Sequence, residues 1–168
     1  ALLAFNKQRT KKIKEENQQI QLGATRKISK LSKRDLLLIG TALYWGEGTT
    51  KEKAGRYPSL AFTNSDPLMV LVFMHYLRRT LRVPDTRIKL RVNIHPNINR
   101  GSTVRFWSKI VGLPVSQFRI GGAISRASKL KRPSNFLPYG TIDIRVNNRK
   151  IFYEVKGYIK GIVNQKNI

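Results

Sequence analysis

The chain has 168 residues, 40% of them hydrophobic, and carries 33 Lys and Arg against 9 Asp and Glu for a formal charge of +24. That length suffices for one compact domain with a tail, and the absence of cysteine excludes disulfide frameworks and Cys-ligated zinc modules. A chain so cationic repels itself unless a polyanion is near, which makes a phosphate backbone the natural partner.

Residues 1–34 hold ten Lys or Arg and two Glu among Gln and Asn, too polar for a core. They read as a basic arm, part helical, and as the remnant of a longer N-terminal region. Ser32, with Asp35 three residues on, suits a helix start. Leu36 to Ile39 and Ala42 to Trp45 then make that helix apolar almost all round, so it is expected to be buried, and Gly46 and Gly48 to end it. A strand is expected over 59–64. Asp66-Pro67 supplies a cap and a first-turn proline for a helix running to about Leu81, where Pro84 and Asp85 intervene.

The charge is unevenly spread. No acid occurs between Asp85 and Asp143, an interval that holds Arg87, Lys89, Arg91, Arg100, Arg105, Lys109 and Arg119 and, further on, Arg126, Lys129, Lys131 and Arg132. Solvated faces normally mix signs. Over 87–95 the alternation is strict, with Ile88, Leu90, Val92 and Ile94 on one side and Arg87, Lys89, Arg91, Asn93 and His95 on the other.

A short helix is expected over 102–111, stopped by Gly112-Leu113-Pro114, and a strand near Gln117 to Ile120. Residues 121–138 read as a long basic loop. Thr141 to Asn147 alternates again, Arg145 sharing a side with Asp143, and a last helix runs from about Asn148 to Ile162. The order fits an α+β fold, an antiparallel sheet with helices packed on one face, in a domain over 35–164 followed by a tail at 165–168. The free face would carry phosphate- and base-contacting side chains: Arg87, Lys89, Arg91, Asn93 and Arg145, with Lys51, Lys53, Lys129, Lys131 and Arg132 beside it.

The longest apolar run, Leu68 to Met74, is far shorter than the roughly 20 residues of a membrane span, and no signal-peptide pattern opens the chain. No membrane partner is expected. The expected location is the cytoplasm, at the nucleoid in a bacterial host. His75 reads as a histidine at the core margin, Asp66 as a cap, and Trp45, Trp107, Phe106 and Phe118 as packing rather than base-stacking groups. His95-Pro96-Asn97 lacks the surroundings of a His-Asn nuclease site.

The segment Gly40-Thr41-Ala42-Leu43-Tyr44-Trp45-Gly46-Glu47-Gly48 resembles the LAGLIDADG signature of homing endonucleases. Small residues stand at Ala42 and Gly46, the acid is Glu47 and the closing glycine is Gly48; Trp45 replaces the family's earlier Asp, and Ala42 its first Gly. Asn64-Ser65-Asp66-Pro67, Phe106-Trp107, Gly112-Leu113-Pro114 and Leu137-Pro138-Tyr139-Gly140 extend the resemblance to bacterial LAGLIDADG-like proteins over about residues 35–163.

Independently of the family, Ala42 and Gly46 are four apart on one helical face, where small residues let a second helix approach. Glu47 lies at the C-terminal end of its helix, where the macrodipole disfavours an anion. The resemblance implies that such helices pair and set two acids side by side at the centre of a DNA-binding face, each helping to hold a divalent cation such as Mg²⁺ that activates water for phosphodiester cleavage. With one motif acid per chain, that requires a homodimer. Gly157 and Gly161 offer a second pair four apart, for pairing within one chain or for ordinary core packing. The implied activity is sequence-directed double-stranded DNA binding with Mg²⁺-dependent cleavage; the alternatives are a DNA-binding regulator without chemistry and an RNA-binding splicing cofactor.

Overall fold

The computed structural model describes residues 2–52, 55, 57–94, 98–121 and 137–165. The chain divides into two units, residues 1–32 and 33–168. The first is a single helix, α1 (Leu2–Lys27), in which the side chains from Leu3 onward are exposed. The helix is continuous over 2–27 and residues 28–32 are not helical, so the arm is part helical as expected. Local bonds support it, among them the ion pair of Lys11 and Glu15 one turn apart.

The second unit starts with α2 (Lys33–Glu47), which begins directly after Ser32. β1 (Leu60–Asn64) follows, then α3 (Pro67–His75). Asp66 caps α3 as its sequence indicates: one carboxylate oxygen accepts from the amides of Leu68 at 2.7 Å and Met69 at 3.3 Å. The helix then widens into one π turn, Tyr76–Thr80. A 3₁₀ turn (Asp85–Arg87) leads into β2 (Ile88–Asn93), and Asn99 caps α4 (Arg100–Val111), which ends on Gly112 at φ +67°. β3 (Phe118–Gly121), β4 (Thr141–Val146) and α5 (Arg149–Val163), capped by Asn148, complete the unit. Among the described residues no helix is long and apolar enough to cross a membrane.

The strands form one sheet in the order β1-β4-β2-β3. β4 pairs antiparallel with β1 and with β2, but β3 runs parallel to β2. The sheet is therefore mixed, not antiparallel throughout. The cause lies in the connection: α4 carries the chain from the end of β2 back to the start of its neighbour, as a parallel pair requires.

Helices cover one face of the sheet. Phe62, Ile144, Leu90 and Phe118 form a row across it, and Leu60, Ile88, Val92, Ile142 and Val146 are buried on the same side. Above them the aromatic rings of Phe62, Phe73, Tyr44 and Tyr76 cluster, with Phe62 and Phe73 stacked at 4.1 Å between centroids. The Tyr76 hydroxyl meets Thr41 Oγ1 at 3.1 Å, so these two buried polar groups satisfy each other. Burial pushes the Tyr44 phenol up to about 12, while its hydroxyl donates to the Thr49 carbonyl at 2.5 Å.

α2 is not buried on all sides. Leu36, Gly40, Thr41 and Tyr44 are buried, Leu43 packs against the core partly buried, and Leu38, Ile39, Ala42, Trp45 and Gly46 are exposed. The close approach occurs at Gly40, where an added Cβ would come within 2.1 Å of the Tyr76 ring. Nothing lies within 4 Å of a Cβ built at Gly46, Gly157 or Gly161, so the glycines of α5 neither pack in the core nor pair with Ala42 and Gly46. His75 is exposed rather than at the core margin, because it shares the uncovered side of α3 with Leu68 and Leu71 while Val70, Phe73 and Met74 face the core. Trp107 is fully buried and its indole N–H donates to the Tyr139 carbonyl at 2.8 Å, while Phe106 stacks on the Tyr139 ring. These rings are packing groups. Trp45, 48% exposed, is not.

Candidate nucleic-acid interface

The face of the sheet away from the helices is polar because β2 and β4 alternate in register. Thr63, Asp143, Arg91 and Arg119 make one row across β1, β4, β2 and β3. Ala61, Arg145 and Lys89 make the next, and Thr141, Asn93 and Gly121 a third. Lys89, Arg91 and Arg119 are exposed and Arg145 is half-buried. Arg87 precedes them, exposed, in the 3₁₀ turn. Asn93 shares the face but leans over Gly121, at which an added Cβ would meet its Oδ1 at 2.0 Å.

At the centre of the first row is one carboxylate. Asp143 is only 5% exposed. Its Oδ2 receives Arg91 Nη2 at 2.9 Å and faces Arg145 Nη2 at 3.6 Å, and its Oδ1 accepts from the Thr63 hydroxyl at 3.3 Å. Two guanidinium groups against one carboxylate leave the cluster positive. The carboxylate also directs the forks: Arg91 donates one nitrogen to it, Arg145 sets one beside it, and among the described residues neither guanidinium is in another ion pair. Arg91, Arg119, Arg145, Lys89 and Asp143 line a shallow groove of about 650 Å³. Gln117 stiffens its floor by donating to the carbonyls of Asp85 at 2.7 Å and Ile88 at 2.8 Å.

Lys51 lies beside the β1 edge, where it lines a smaller hollow with Arg145, Tyr57 and Glu52. Glu52 is engaged there: Lys156 Nζ donates to it at 2.7 Å and the Tyr153 hydroxyl at 2.9 Å. These bonds hold the Glu52 carboxyl below, and the Tyr153 phenol above, their ordinary values. Lys53, Lys129, Lys131 and Arg132, and the His95-Pro96-Asn97 segment, lie outside the described residues.

Glu47 is exposed at the last turn of α2. The next residue, Gly48, forms a bridge with Phe62 of β1, and the Thr49 amide donates to the Ala61 carbonyl at 2.9 Å. Within one chain the acid therefore belongs to the β1 edge of the sheet, not to the centre of its cationic face. Among the described residues no three His, Cys, Asp or Glu side chains gather closely enough to hold a cation. Within one chain Glu47 would offer Mg²⁺ one carboxylate, with its remaining ligands drawn from water, a nucleic-acid phosphate or a second chain.

Arg119 and Asp143 are the charged members of the face that the sequence alone does not assign as contacts. Asp143 carried a signal, since it shares the parity of Arg145, but the opposite sign hid its role. Arg119 becomes a neighbour of Arg91 only through the parallel pairing of β3. In comparisons with known proteins, no family model, no curated protein and no solved structure matches the chain.

Proposed function

We propose that the chain binds duplex DNA by laying the polar face of its sheet along the groove, and that two copies act together through the exposed side of α2. The observation that carries this reading is the buttressed cluster of Arg91, Arg145 and Asp143 with Arg119 and Lys89 in adjoining positions. Strands about 4.8 Å apart present these side chains as a ribbon of cations, and strands are narrow enough to enter a major groove. Arginine forks suit phosphate oxygens and the O6 and N7 acceptors of guanine.

The dimer rests on the exposed stripe of Ile39, Ala42 and Gly46, flanked by Trp45. Small residues there permit close approach of a second, symmetry-related α2. Because Gly48 bridges to the edge strand β1, such a pair sets the β1 sides of two sheets toward each other and doubles the length of the cationic face. It also brings together two Glu47 side chains, which is the arrangement that favours the second reading, Mg²⁺-dependent cleavage. Bound between them, Mg²⁺ would supply neutralisation of the phosphodiester charge.

The test is titration of the full chain with a library of random duplexes, with and without Mg²⁺, in competition with structured RNA. Duplex DNA is expected to hold against RNA, and Glu47→Gln to bind DNA as the native chain does. RNA displacing the duplex at equal concentration would replace this reading with the RNA-binding one. Cutting that needs Mg²⁺ and disappears in Glu47→Gln supports cleavage; binding without any cut product leaves a DNA-binding regulator.

A further inference from the structure

On the helical side of the molecule, a groove of about 870 Å³ runs between the first turns of α2, the π turn after α3 and the last turns of α5. Leu37, Leu38, Ile162 and the ring of Tyr158 give it an apolar floor. The Tyr158 hydroxyl is turned to Glu154, to which it donates. Lys33 and Arg34 stand on one wall and Arg79 and Arg82 on the other, and among the described residues no acid lines the groove. Among the described residues none of these four cations is in an ion pair. Arg78, from the same π turn as Arg79, is by contrast fully engaged, with Asp85 at 2.7 Å and the Val111 carbonyl at 2.8 Å.

Three of the four cations are placed against local preference. Lys33 and Arg34 occupy the first turn of α2, where the macrodipole is positive and only Asp35 offsets it. Arg82 has φ +51°, a conformation that favours glycine. It closes the end of the π turn, with the Leu81 amide donating to the Tyr76 carbonyl at 3.1 Å and the Val83 amide to the Leu77 carbonyl at 2.9 Å. Glycine would close that turn without strain. Side chains that cost local stability and line one groove point to a ligand that repays them.

The chemistry of the groove selects its occupant. Four cations call for negative charge, and the aliphatic floor calls for an aliphatic face beside it. A nucleic acid offers phosphates but no aliphatic surface to cover Leu37, Leu38 and Ile162. The first helix of this chain, rich in Lys and Arg, has the wrong sign.

We infer that the groove docks an acidic amphipathic segment of a partner protein, its aliphatic residues on Leu37, Leu38 and Ile162 and its carboxylates on Lys33, Arg34, Arg79 and Arg82. This surface is distinct from the sheet face. Lys33 and Glu47 are at opposite ends of α2, about 20 Å apart at a rise of about 1.5 Å per residue. DNA on the sheet and a protein segment in the groove can therefore be held at once.

The experiment uses the full chain at physiological salt and a labelled synthetic peptide with Leu at helical spacing and Glu elsewhere. A scrambled peptide of the same composition and an unlabelled duplex serve as comparisons. The amphipathic peptide is expected to bind at least tenfold tighter than the scrambled one and to resist displacement by the duplex. Arg82→Gly combined with Arg79→Ala is expected to weaken it at least tenfold, Leu38→Gln to weaken it likewise, and Arg91→Ala to leave it unchanged. Arg82→Gly alone is expected to keep or raise the thermal midpoint, which separates a ligand contact from a structural role. Absence of peptide binding, equal binding of the scrambled peptide, displacement by the duplex, or a fall in the thermal midpoint of Arg82→Gly would each overturn the proposal.

Discussion

Arg91 and Asp143 face each other across β2 and β4, the guanidinium Nη2 2.9 Å from a carboxylate oxygen that is nearly closed to solvent. The arginine itself stays half in water, its side chain 52% exposed. A buried acid thus anchors an exposed base, and the fork is held outward from a rigid sheet. On the proposed DNA-binding face such an arrangement would serve discrimination more than bulk attraction, because the acid lowers the net charge of the face while it narrows the directions in which the donors can point.

Asp143→Asn separates the two effects. The amide keeps the shape and an acceptor but loses the charge. At low salt, affinity for random duplex is expected to hold or rise several-fold, while preference for a selected sequence over random duplex falls by about tenfold, the scale of one good base contact. Selection from a random duplex pool, followed by competition binding, measures both. Undiminished preference would remove Arg91 from the reading of sequence.

The exposed stripe of α2 is tested by Gly46→Leu. Gly46 is exposed and, among the described residues, no atom lies within 4 Å of a Cβ built there, so the position is open to a larger side chain. Helix propensity favours Leu over Gly by up to about 1 kcal/mol. The thermal midpoint at low concentration is expected to hold or rise, while sedimentation shows a shift from dimer to monomer. A variant that remains dimeric would place the interface elsewhere.

Gly40→Ala addresses the opposite side of the same helix. Its Cβ would lie 2.1 Å from the Tyr76 ring, so the helix or the π turn must shift. Overpacking of this kind costs about 1–3 kcal/mol. Chemical denaturation is expected to show that loss, and an unchanged midpoint would contradict the close packing of α2 on Tyr76.

Tyr44 sets an alkaline limit. Its phenol is pushed up to about 12 by burial, whereas the unfolded chain titrates near the ordinary value of 10.0. A raised folded value means that the stabilising difference is complete below the unfolded value and is lost as pH rises from there toward the folded one. Stability is expected to fall above about pH 10, by up to about 1.4 kcal/mol per pH unit for the group. Tyr44→Phe should flatten part of that fall in thermal midpoints taken from pH 9 upward; an identical slope would assign it to other groups.

The sequence made the strands and caps legible where the local signal was also the tertiary one. The alternation of Ile88, Leu90 and Val92 with Lys89 and Arg91 is the burial pattern of β2, and Asp66-Pro67 opens α3. Three features were hidden because they depend on partners distant in sequence. The apolar residues all round α2 suggested full burial, yet helices cover only one of its sides and leave Leu38, Ile39 and Trp45 out. The π turn at Tyr76 shows no break in the apolar pattern; it coincides with the contact between Tyr76 and Gly40. The parallel pairing of β3, which adds Arg119 to the face, follows from the crossover through α4 and not from the composition of the strand.

The salt dependence of duplex binding tests the cationic face most directly. Each phosphate contact contributes about −0.9 to the slope of log affinity against log salt. Arg91→Ala with Arg145→Ala is expected to weaken binding and to reduce the magnitude of the native slope by up to about 1.8. A native slope near zero, or a double variant with native affinity and slope, would contradict the assignment of the sheet face to DNA.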